Sequence, residues 1–155
     1  MKIQQLFLCI LSIIVVSCTT STNNEAFIKK TTGRYLYNSD EIIEVYFDNQ
    51  KLFLKWRGAT SLEPLSVGEE TFFVKEMNEK IQFLTNPENQ LTYMVLVPKT
   101  VNDTLQYNFR KLTQNEKIPS EYLKDNNFEK ALEGYLKIKK IDSLDASLNE
   151  NNFNS

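Results

Sequence analysis

The sequence predicts a mainly β domain, an antiparallel barrel of about eight strands followed by one C-terminal α-helix. Three observations predict it. Runs with period-two alternation recur at spacings of roughly ten residues between Gly33 and Leu112, with no helical pattern between them. After Lys117 the apolar spacing changes to that of a helix. Glycine and proline are few, four of each, while Phe and Tyr together supply a substantial apolar core.

The first element is a leader. Lys2 is followed by the apolar run Leu6–Val16, "LFLCILSIIVV". A bilayer-spanning helix needs about twenty such residues. A positive start, a short apolar core and a small-residue exit at Ser17 instead describe a secretory signal covering residues 1–17. Cleavage there leaves Cys18 first. The stretch "VVSC" resembles the lipobox of bacterial lipoproteins, which implies diacylglyceryl transfer to the Cys18 sulfur and a lipid bilayer as partner. Two or three acyl chains anchor stably where one binds reversibly. The expected location is the bacterial cell envelope, on the outer membrane. Cys9 leaves with the leader, so no disulfide or cysteine nucleophile is expected in the remainder. Residues 18–26 read as a polar tether.

The barrel is assigned to residues 27–116. "GRYLYN" (33–38) leads into "EIIEVYFD" (41–48), and Asn49-Gln50 turns the chain into "KLFLKWR" (51–57). Leu52, Leu54 and Trp56 share one face there, with Lys51, Lys55 and Arg57 on the other. "SLEPLSV" (61–67), "ETFFVKE" (70–76) and "KIQFLT" (80–85) follow. The turn "NPEN" (86–89) carries Pro at its second position. "QLTYMVLV" (90–97) and "TLQYNFRKL" (104–112) complete the series. The candidate barrel-lining residues are Leu52, Leu54, Trp56, Phe72, Phe83, Tyr93, Tyr107 and Phe109. An eight-stranded interior is either filled by side chains or holds one small apolar ligand; filling is the expectation.

Residues 117–145 form the helical segment. Phe128, Ala131, Leu132, Tyr135, Ile138 and Ile141 fall at helical spacing, Asn127 or Asp125 can cap the start, and Glu133 precedes Lys137 by one turn in the favourable order. The stripe is expected to pack on the barrel. Residues 146–155 have no pattern and read as a frayed tail.

Composition narrows the chemistry. The chain has no histidine, 18 basic and 20 acidic residues, and a formal charge of -2. The lack of histidine excludes Ser-His and Cys-His nucleophiles and His-ligated zinc. The near balance gives no basic footprint for nucleic acid. No phosphate-binding glycine pattern is present. "DNNFE" at 125–129 fails as a calcium loop, because Lys130 occupies the position that needs glycine. The pairs Asp40-Glu41 and Glu69-Glu70 are adjacent on strands or turns and do not converge on one face. No enzyme, cofactor or metal is expected; a carboxylate-dependent hydrolase is the least favoured alternative.

The landmarks "GRY" (33–35), "IIEVYFDNQKLFLKW", "LEPLS" (62–66), "TFFV" (71–74) and "IQFLTN" (81–86) together resemble the lipocalin-like domain that follows the catalytic domain of β-lactamase-related serine hydrolases, especially in Bacteroidota. The resemblance implies an eight-stranded antiparallel barrel with an accessory role, and carries over no catalytic residue. "NNFEKALEGYLKIKKIDSLDA" resembles the second helix of a tetratricopeptide repeat through Ala131, Tyr135 and Asp142. Asp103-Thr104-Leu105 and Asp142-Ser143-Leu144 resemble the O-glycosylation motif of exported Bacteroidota proteins, which makes Thr104 and Ser143 candidate acceptors. The expected function is that of a non-catalytic accessory module binding a small ligand or an exported protein. The alternative is a scaffold that docks through the C-terminal helix.

Overall fold

The computed structural model describes residues 25–153, with side chains to Lys140. The leader, Cys18 and the first part of the tether lie outside the described residues, as does the Ser143 side chain.

The described residues open on a short helix, α1 (Glu25–Thr31), across the boundary where the sequence suggests the end of a tether and the start of the barrel. Glu25 in its first turn and Lys29 and Lys30 in its last complement the helix dipole. Phe27 and Thr31 form its buried face. Its last carbonyls, which have no partner inside the helix, are taken by the body of the domain. The Tyr35 hydroxyl donates to Thr31 O at 2.7 Å, and Lys111 Nζ donates to Lys30 O at 2.7 Å.

Nine strands follow among the described residues: β1 (Gly33–Asn38), β2 (Glu41–Asp48), β3 (Lys51–Trp56), β4 (Ala59–Leu62), β5 (Leu65–Gly68), β6 (Thr71–Val74), β7 (Glu79–Thr85), β8 (Thr92–Leu96) and β9 (Phe109–Arg110). The fold is mainly β, with two antiparallel sheets ordered β1-β2-β3-β4 and β5-β6-β7-β8-β9. Asn49 and Gln50 both adopt positive φ, 47° and 65°, as a two-residue hairpin loop requires between Asp48 and Lys51. The two sheets touch at one edge, where Tyr35 bridges Lys111 and Leu112 N–H donates to Arg34 O at 2.7 Å. Gly33 lies at that junction with φ 148°, and a Cβ there would come within 2.6 Å of Lys111 Cε.

Three expectations need correction. The single strand expected over 61–67 is two, β4 and β5, belonging to different sheets. Pro64 lies between them and has no N–H for a ladder. The strand expected over 104–112 shrinks to Phe109–Arg110. Upstream, the Asn108 side chain takes the Leu96 N–H at 3.0 Å, so a side-chain acceptor stands where a ladder carbonyl was expected. The single C-terminal helix is accompanied by two more, α1 and α2 (Pro119–Lys124). α3 (Phe128–Phe153) runs past residue 145, through most of the segment read as a tail.

The core lies between the sheets and draws on both. Tyr35, Ile43, Val45, Leu52, Leu54 and Trp56 from the first sheet meet Phe72, Val74, Ile81, Phe83 and Met94 from the second. Phe27 of α1 enters from one end. Its ring is edge-on to Phe47 and Phe83, both at 6.1 Å, and stacks on Phe72 at 6.3 Å.

Candidate functional site

Aromatic and aliphatic side chains pack together between the sheets. Leu52, Leu54, Trp56, Phe72 and Phe83 are buried there. Phe109 is half-buried and stacks on Tyr37 at 5.2 Å. Tyr93 and Tyr107 do not line the interior. Met94 of β8 pairs with Phe83 and points inward, which sends Tyr93 to the outer face, where its ring meets Tyr107 at 5.1 Å. Tyr107 itself lies in the loop before β9. Phe27, which the sequence reading missed, occupies the centre of the Phe47–Phe72–Phe83 cluster. Its local signal is weak: one Phe-Ile pair inside "EAFIKKT".

At the end of β3, the Trp56 ring packs at a tilt of 56° against Tyr37, centroids 4.9 Å apart, and the Arg57 guanidinium lies 4.5 Å from the Trp56 ring centre. Arg57 Nε donates to Glu41 Oε1 at 2.9 Å and Asn38 Nδ2 donates to Glu41 Oε2 at 2.9 Å. Arg57 is the main cause of a lowered Glu41 carboxyl pKa, with smaller contributions from Trp56 and Asn38. The Trp56 indole N–H is buried without a hydrogen bond of normal geometry, so its approach to Glu41 is electrostatic only.

Asp40 and Glu41 diverge. While Glu41 turns to Arg57, Asp40 Oδ1 accepts the Ser120 N–H at 2.7 Å, and Asp40 Oδ2 accepts the Tyr135 hydroxyl at 2.7 Å. One carboxylate in the β1–β2 turn thus holds both α2 and α3, and this bond raises the Tyr135 phenol pKa. Arg34 of β1 strengthens the dock by pairing with Glu121 and donating to Glu116 O at 2.8 Å. Glu121 also accepts the Ile118 N–H at 3.1 Å, half of a capping box before Pro119. The shallow polar pocket of about 400 Å³ beside α2 is lined by Arg34, Lys117, Glu121 and Asp125 among others, and these four are already joined as the ion pairs Arg34–Glu121 and Lys117–Asp125. Among the described residues no group of three or more acidic or cysteine side chains is placed to hold a metal ion. No described helix is long and apolar enough to cross a membrane.

The helix pair itself is built by close approach. Asn127 Oδ1 accepts the Lys130 N–H at 3.2 Å and starts α3. A Cβ at Gly134 would come within 2.7 Å of Pro119 Cγ, so glycine sets how closely α3 crosses α2. In an open helix Gly→Ala is favourable by about 1 kcal/mol. Here Gly134→Ala is expected to cost about 1–2 kcal/mol in a denaturant melt, because the proline ring cannot swing away.

The expected stripe on α3 divides into two faces. Ala131 is buried, and Tyr135 and Ile138 are half-buried on the side toward α2 and Asp40. Phe128, Leu132 and Leu136 stand in solvent at 65%, 60% and 57% exposure. They are four residues apart and form one line along the helix. Glu129 and Glu133 lie beside the N-terminal half of the line, and Lys137, Lys139 and Lys140 beside the C-terminal half. Lys137 and Glu133 pair within the helix at 2.7 Å, as expected from their order. A second apolar feature is smaller: a cleft of about 250 Å³ between β3 and β5, lined by Phe47, Leu52, Leu65 and Phe72 and bridged by the Lys51–Glu63 ion pair. Thr104 is exposed in the loop before β9.

Comparison with protein-family models, curated proteins and solved structures finds no match for the chain.

Proposed function

We propose that the chain is an envelope lipoprotein, acylated at Cys18, that acts as a non-catalytic docking module through α3. In this reading the β domain is a flattened lipocalin-like barrel of eight strands, with β4 and β5 counted as one strand bent at Pro64. The meander order, and the contact between β1 and β9 at the far edge, support that count. The barrel serves as a rigid, filled base. Thr19–Asn24 would span at most about 20 Å fully extended, which keeps the α1 end near the membrane.

The observation that carries the proposal is a contrast. Phe27 occupies the interior that a ligand would need, while Phe128, Leu132 and Leu136 are left in water. Leaving three large apolar side chains in line on a helix exposes surface that burial would stabilise by roughly 1.5–3 kcal/mol each. The cleft between β3 and β5 supports a second reading, a small apolar ligand held near Leu65.

Two variants of the full-length chain separate the readings. Leu132→Asp with Leu136→Asp should remove the protein from the complex it enters in native electrophoresis of gently solubilised envelopes, and Leu65→Asp should leave that complex intact. Loss with Leu65→Asp alone would favour the cleft. The anchor is tested independently. Cys18→Ser should abolish acyl labelling and release the chain from the membrane fraction; unchanged labelling and retention would remove the anchor from the proposal.

A further inference from the structure

We propose that α2 and α3 form an arm that opens from the β domain as one unit, with the Asp40 carboxylate as its latch. Every side chain of the core between the sheets lies between Phe27 and Met94, and every half-buried apolar residue packed against it lies between Tyr37 and Phe109. The helix pair contributes none of them. Ile118, Pro119 and Ala131 are buried, but apart from that core. Gly134 seated on Pro119 joins α3 to α2, so the two helices move together.

The ties that fasten the pair to the sheets are polar and local. Asp40 stands in the turn between β1 and β2. It accepts the Ser120 N–H from α2 and the Tyr135 hydroxyl from α3, each at 2.7 Å. Arg34 adds a half-buried ion pair with Glu121. Its other terminal nitrogen donates to Glu116 O at 2.8 Å, and Arg110 pairs with the Glu116 carboxylate. The chain is therefore pinned to the β domain as far as Glu116. Lys117, the next residue, is exposed, lies outside any helix or strand, and pairs with Asp125 inside the arm, which makes it the hinge. Opening about Lys117 breaks no contact within the core, so it takes less free energy than unfolding the whole domain. The open arm adds the Tyr135 side of α3 to the exposed Phe128–Leu132–Leu136 line. The latch thus sets how much of the helix is accessible, and it does so whether or not α3 docks a partner.

Amide hydrogen exchange of the full-length chain tests the latch. In Asp40→Ala the amides of residues 119–137 should exchange about a hundredfold faster, the size of two lost hydrogen bonds to a charged group. The amides of residues 43–45 and 81–83, in the core strands, should keep the parent rates. Tyr135→Phe keeps the ring and removes one of the two bonds, so it should accelerate the helices about tenfold. Glu41→Gln, next along the same turn but paired with Arg57, should leave α2 and α3 at the parent rates. Helices and strands accelerated equally by Asp40→Ala would show one cooperative unit and overturn the arm. Helices unmoved by both Asp40→Ala and Tyr135→Phe would overturn the latch. So would Glu41→Gln matching Asp40→Ala, because the shape of the turn and not the two Asp40 bonds would then hold the pair.

Discussion

Phe27→Ala is expected to be among the most damaging single changes in the domain, lowering stability by about 3–5 kcal/mol. The ring is 4% exposed and touches Phe47, Phe72 and Phe83, which come from both sheets. Its removal leaves a cavity between the sheets that neither can close alone. It also releases α1 from the domain end, and with it Thr31, whose carbonyl accepts the buried Tyr35 hydroxyl. Equilibrium denaturation of the variant measures the effect. A loss below about 1 kcal/mol would mean that α1 is only an appendage and that the interior is closed without it. Phe27→Leu, which keeps most of the volume, should recover much of the loss.

Trp56→Ala should cost a similar amount, about 3–5 kcal/mol. The indole packs at a tilt against Tyr37, and Tyr37 stacks on Phe109, so the three rings form one aromatic cluster against the core. Trp56→Phe should be milder, because the indole N–H makes no hydrogen bond that the phenyl ring would forgo. Lys55→Ala, one residue away on the outer face, should cost less than about 0.5 kcal/mol. Lys55 is exposed and holds only a surface pair with Glu44 at 2.8 Å. Comparable losses at positions 55 and 56 would show that the facing of β3 is wrong.

The parts of this fold legible in the sequence are those where alternation had contrast. "KLFLKW" alternates lysine with large apolar residues, and β3 faces as that pattern predicts. "LTYMVLV" is apolar except for Thr92, so period two could not choose a face, and the inward residue is Met94 rather than Tyr93. Tyr107 alternated well but lies in a loop, and beside it the Asn108 side chain, not a backbone carbonyl, takes the N–H of Leu96 on β8. Phe27 was hidden for a different reason: a lone aromatic beside a polar segment becomes structural only through contacts far along the chain. On α3 the spacing identified the helix but not its two faces. Ala131 and Tyr135 are apolar enough to belong to either, and what assigns them is the glycine–proline contact and the distant Asp40 carboxylate.

The central claim is that the domain is complete without the Phe128–Leu132–Leu136 line, which is there to be covered by something else. The most direct measurement is the urea melt of full-length Leu132→Asp with Leu136→Asp beside the parent chain, under conditions where both are monomeric. The account predicts unfolding free energies that agree to within about 1 kcal/mol, the helix-propensity cost of two Leu→Asp changes, because both side chains are already in water. A loss of about 2–5 kcal/mol per site, the size expected of a buried leucine, would show that the line packs within the molecule and would contradict the docking module altogether.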